Sequence, residues 1–163
     1  MGVALPVRVR VSARGVLAGI LVGIALTALL VALGAAIGVT AFPRAIGRSS
    51  GIAIAVWLVL SFAAAAFGGA WTAAGGARAL RRRDGVLQGV VTWAAMTILG
   101  TPMIGSLMRD VIRSGLAGDP SLVKLAAWGA FAVPAIGLGA AILGGLVAVA
   151  RERRVARRTA ETR

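Results

Sequence analysis

Charge is absent from four long stretches of the chain, and that absence limits what the chain can fold into more than any motif does. Gly15–Pro43, Ser49–Ala77, Gly85–Met108 and Leu125–Ala150 hold no Asp, Glu, Lys or Arg over 29, 29, 24 and 26 residues. A hydrocarbon core of ~30 Å takes about 20 residues of helix to cross. One charge at its midplane costs roughly 2.5–3.5 kcal/mol on insertion scales, and no window carries one. The pattern predicts an all-α integral membrane four-helix bundle. A soluble domain would have about 25% charged residues, whereas this chain has 14%. One bundle takes up the full length, so residues 1–163 read as a single transmembrane domain. Its helices are expected at about 15–42, 51–77, 86–108 and 121–150, followed by a basic tail over 151–163.

The basic residues orient the bundle. Arg8, Arg10 and Arg14, the connection Arg78, Arg81, Arg82 and Arg83, and six tail arginines from Arg151 to Arg163 make thirteen on one side of an alternating path. Arg44, Arg48, Arg109, Arg113 and Lys124 make five on the other. The side richer in Lys and Arg faces the cytoplasm, which predicts both termini there, in a bacterial inner membrane. The first apolar run far exceeds the 7–15 residues of a cleaved signal, so it reads as a permanent helix. The net charge of +13 reflects this placement at helix ends, and a nucleic-acid partner is not expected. Membrane lipids are the expected partners instead. Arg81, Arg82 and Arg83, together with Arg151, Arg153 and Arg154, are the candidate contacts to anionic headgroups, each such contact being worth about 1 kcal/mol.

Small residues mark where helices can meet. Gly15, Gly19, Gly23, Thr27, Gly34 and Gly38 recur mostly at four-residue steps, so they drift slowly around one helical face. In lipid, helices associate through such strips because close backbone approach replaces the missing hydrophobic drive. The second window is bulky at first (Trp57, Leu60, Phe62) and small later, through Gly68 and Gly69. Gly137, Ala141 and Gly145 form a further strip in the fourth. Each strip can serve this chain's own bundle or another membrane subunit. Pro102 and Pro134 are expected to bend the third and fourth helices, with Thr97 and Thr101 placed to donate to freed carbonyls. Asp110 and Arg113 can pair at a three-residue step, in a connection with room for a short helix near Arg109–Leu116. Asp119 and Pro120 form a helix-start signal. Trp57 and Trp128 fall toward the outer side, Trp71 and Trp93 toward the inner, in keeping with an aromatic belt.

Reactive chemistry is sparse. The chain has no Cys and no His, which removes thiolate catalysis, disulfides and the usual haem and zinc ligands. No catalytic residue, metal ligand or cofactor is predicted. The windows contain hydroxyls and Gln88 but no ionisable group, whereas ion coupling within a membrane needs one. Small multidrug transporters, for example, carry a glutamate in their first helix, and the first window here has no acid.

The pattern Gly68-Gly69-Ala70-Trp71-Thr72-Ala73, Arg78, then Asp84-Gly85-Val86-Leu87-Gln88-Gly89 through Trp93 resembles small bacterial membrane proteins of the YrzE-like or PhnA-like type. Ala74 and Gly75 shift the Ala-Gly-Arg spacing of that pattern, and Gln88 stands where it has a histidine. The resemblance implies architecture and no activity. The expected function is non-enzymatic: helix packing, as an accessory or structural subunit of a respiratory, photosynthetic or transport complex. Two alternatives stand beside it. One is a small transporter or channel component with a cavity at the Pro102 and Pro134 bends; the other is a lipid-binding or regulatory anchor.

Overall fold

A computed structural model of the protein describes residues 12–41, 48–77, 81–113 and 120–161. Those residues form four helices: α1 (Ala13–Ala41), α2 (Arg48–Gly76), α3 (Arg82–Arg113) and α4 (Pro120–Glu161). Arg8, Arg10, the Phe42–Pro43 exit, Arg44, Arg78, the Asp119 cap and Arg163 lie outside the described residues. The same holds for the side chains of Asp110 and Arg113, so their expected pairing does too.

Three helices are long and apolar enough to cross a membrane, within Ala13–Gly38, Ala55–Gly76 and Trp128–Glu161. Over its described residues α3 is not among them, although its uncharged window is long. Gln88, Thr92, Thr97, Thr101 and Pro102 dilute its apolar content, and each polar group on a span makes its transfer into lipid less favourable.

Two helices outrun their windows. α3 begins four residues earlier than expected and runs through Arg109–Arg113, so the stretch read as a connection starts as helix. α4 does not end at Ala150. It continues through the basic tail to Glu161, for 42 residues. At 1.5 Å per residue that is about 63 Å, twice the thickness of a bilayer core. Pro102 and Pro134 both lie inside continuous helix. Hydroxyl bonds act locally: Thr97 Oγ1 donates to the Trp93 carbonyl at 2.9 Å, and Thr101 Oγ1 to the Thr97 carbonyl at 2.8 Å. Each closes on its own preceding turn. Neither reaches the Ile98 carbonyl, which loses its partner to Pro102, so the expected rescue of a freed carbonyl is not made.

The chain runs up, down, up, down. Gly15 meets Ala73 and Gly34 meets Trp57, so α1 and α2 are antiparallel. Gly85 meets Gly145 and Gly89 meets Ala141, so α3 and α4 are too. Among the described residues α1 and α4 are not in contact; the α2–α3 hairpin stands between them. The centre is small rather than bulky, with Ala66, Ala70 and Ala141 packed around Trp93. Large aliphatic side chains point outward instead, among them Leu21 (69% exposed), Leu29 (65%) and Ile98 (70%). That inversion of the soluble pattern suits a surface surrounded by lipid.

Candidate functional site

Close backbone approach organises the interior. A methyl placed on Gly15 would lie 2.6 Å from the Ala73 carbonyl oxygen, and one on Gly19 would lie 2.5 Å from that of Gly69. Gly69 returns the contact, its own methyl position lying 2.7 Å from the Gly19 carbonyl oxygen. Gly23 takes the thioether of Met96, and Gly68 the end of Leu26. Gly34 accommodates the indole of Trp57, whose Nε1 donates to the Leu30 carbonyl at 2.9 Å. On the other side of the hairpin, Gly137 lies under the rings of Phe62 and Trp93. Ala141 is fully buried, and Gly145 faces the Gly85 backbone. Gly38 differs from the rest of its strip, with open space around it.

Three more glycines belong to this interior. Gly85 and Gly89 admit Gly145 and Ala141 of α4, and Gly144 admits the Phe67 backbone of α2. A signal for the first two was present, since they are four residues apart on one helix. Nothing in the sequence told Gly144, which is buried against α2, from Gly139, which faces open space.

A polar group lies where the helices converge. Gln88 and Thr92, one turn apart on α3, are fully buried. Neither Gln88 Nε2 and Oε1 nor Thr92 Oγ1 has a hydrogen-bond partner, nor has Trp93 Nε1. An unpartnered buried amide costs about 1–3 kcal/mol, so these atoms mark a local deficit within well-packed surroundings.

Most of the described arginines gather at one end. Antiparallel pairing brings the start of α1, the end of α2, the start of α3 and the extension of α4 to the same level. There, Arg82, Arg153, Arg154 and Arg157 border an open-sided cleft of about 450 Å³. Its floor is apolar, formed by Leu146, Val147, Val149 and Ala150 of α4. Among the described residues no carboxylate lines it. Of the six arginines expected at headgroups, Arg82, Arg153 and Arg154 share this cleft, and Arg157 joins them. Arg81 and Arg83 are exposed beside it. Arg151 turns the other way, its guanidinium carbon 5.9 Å from the centre of the Trp71 ring, a cation–π contact that ties α4 to α2. Arg157 escaped the sequence reading because a tail with no assumed conformation gives no facing. Once the tail is helical, Arg153 and Arg157 lie one turn apart on the same side.

Among the described residues no group of three or more acidic side chains could hold a metal ion. No protein-family model, curated protein or solved structure matches this chain. The helix contacts and the basic cleft therefore have to carry the functional reading themselves.

Proposed function

We propose that the protein is a non-enzymatic, four-span membrane protein of the bacterial inner membrane, with both termini cytoplasmic, that acts by helix packing as an accessory subunit of a larger membrane complex. The observation that carries this reading is the division of its small residues. Most of the described glycines lie against the backbone or a side chain of another helix of the chain, whereas Gly38, Gly75, Gly100, Gly129 and Gly139 meet nothing within 4 Å. In lipid, unoccupied close-approach positions are where a further helix can dock. Trp128 and Phe131, 71% and 68% exposed and packed edge to face at 6.4 Å, add an aromatic surface on α4 beside Gly129.

α3 is taken as the fourth span because its most polar group is covered. Gln88 and Thr92 point into the bundle, so lipid does not meet them. The resemblance of the α2–α3 hairpin to YrzE-like or PhnA-like proteins is compatible with this architecture and adds no activity. The transporter alternative is weakened by the Thr97 and Thr101 hydroxyls, which bond to their own helix instead of lining a path.

Purification in mild detergent from native membranes tests the subunit role. A stable co-purifying membrane polypeptide is expected, and a protein that runs alone at every detergent concentration refutes it. Topology is tested by single introduced cysteines, which the cysteine-free chain makes unambiguous. Cysteines near Arg81 and Glu161 should react only from the cytoplasmic side.

A further inference from the structure

Along one side of α4 the cleft passes from oil to charge. Leu146, Val149 and Ala150 give way to Arg153 and then Arg157, a span of about 16 Å at the helical rise. Arg82 closes the cleft from the start of α3. A phospholipid in one leaflet has the same order along its length, acyl chain first and phosphate after. Even without Arg153, the guanidiniums of Arg82, Arg154 and Arg157 exceed the charge of a single phosphate, and each presents paired donors suited to a phosphate's oxygens.

We propose that this cleft is a specific site for an anionic phospholipid of the leaflet that α4 leaves, and that a lipid with two phosphates occupies it in preference to one with a single phosphate. The phosphates sit among Arg82, Arg153, Arg154 and Arg157, and an acyl chain runs back along Leu146, Val147 and Val149. Bridging α3 and α4 at their shared end, the lipid acts as a fastener between the hairpin and the α4 extension. Two observations separate the site from a general attraction of basic tails to membranes. The cleft is bordered by two helices distant in sequence, and Arg151, although adjacent, is engaged with Trp71 instead.

The inference rests on the membrane placement proposed above and not on the subunit role. Its test uses the full chain, reconstituted in vesicles of phosphatidylcholine alone or with 10% phosphatidylglycerol or cardiolipin, then extracted in mild detergent for native mass spectrometry of retained lipid. Cardiolipin retention above phosphatidylglycerol, and phosphatidylglycerol above phosphatidylcholine, is expected. Substituting Arg82→Gln, Arg154→Gln and Arg157→Gln together should weaken cardiolipin retention by about tenfold or more. The control Arg8→Gln, Arg10→Gln and Arg14→Gln removes the same charge from the N-terminal segment expected on the same side and should change retention by less than about threefold. Equal losses in the two variants overturn the site in favour of surface potential alone. So does displacement of the lipid by glycerol phosphate at equal concentration, which would mean that the apolar floor contributes nothing. A chain that reconstitutes and retains cardiolipin no better than phosphatidylcholine ends the lipid site and leaves the membrane reading intact; one that never enters vesicles ends both.

Discussion

Adding one methyl group at Gly19 tests the packing argument at its tightest point. Alanine is favoured over glycine in a helix by about 1 kcal/mol, so a free helical position gains from the change. At Gly19 the new carbon would lie 2.5 Å from the Gly69 carbonyl oxygen, 2.7 Å from Ala73 Cβ and 3.1 Å from Thr92 Cγ2. A carbon–oxygen contact relaxes to about 3.3 Å, so α1 would have to withdraw from α2 by roughly 0.8 Å. The first obstacle is backbone, and no rotamer change relieves it. A gap of that size forfeits about a quarter to a half of each dispersion contact along the interface, and overpacking of this kind costs about 1–3 kcal/mol. After subtracting the helical gain, Gly19→Ala should destabilise the bundle by up to about 2 kcal/mol. Gly139→Ala is the matched control, since nothing lies within 4 Å of its methyl position; it should be neutral or stabilise by up to about 1 kcal/mol. Both can be read by titrating detergent-solubilised protein with a denaturing detergent and following tryptophan fluorescence and helical circular dichroism. If Gly19→Ala is as stable as Gly139→Ala, close backbone approach does not hold α1 to α2.

Three further outcomes follow from named contacts. Gln88→Leu removes a fully buried amide with no partner, so the same titration should show unchanged or higher stability, by up to about 1–3 kcal/mol; a clear loss would mean that Gln88 holds a bound water or other polar group. Trp57→Phe keeps a ring against Gly34 but loses the 2.9 Å bond to the Leu30 carbonyl, which should cost about 1 kcal/mol and free the C-terminal half of α1 to faster amide exchange. Thr97→Val with Thr101→Val should leave both fold and any vesicle flux unchanged, because each hydroxyl serves only its own preceding turn; altered flux would revive a transport path at Pro102.

Neighbouring residues explain which parts of the molecule could be read in advance. Uncharged runs and their arginine borders are local properties, and a helix needs little else: α1 and α2 fall within a few residues of their expected bounds. The ends of α3 and α4 were less legible, because charge sets where a helix leaves the apolar zone without setting where its hydrogen bonding stops. The tail Arg151–Glu161 is charged and still helical.

Sequence alone determined the helical class, the approximate placement of α1 and α2, and the gathering of positive charge into few segments, since each depends on the composition of one stretch. Only the tertiary structure decided which glycines are occupied. Gly19 and Gly38 occupy one strip, but the first meets the backbone of α2 and the second meets open space. It also decided that Arg82 joins Arg153, Arg154 and Arg157 around a cleft while Arg151 turns to Trp71. These outcomes depend on the distance and facing of a second helix, and helical periodicity along one segment contains no information about its neighbour.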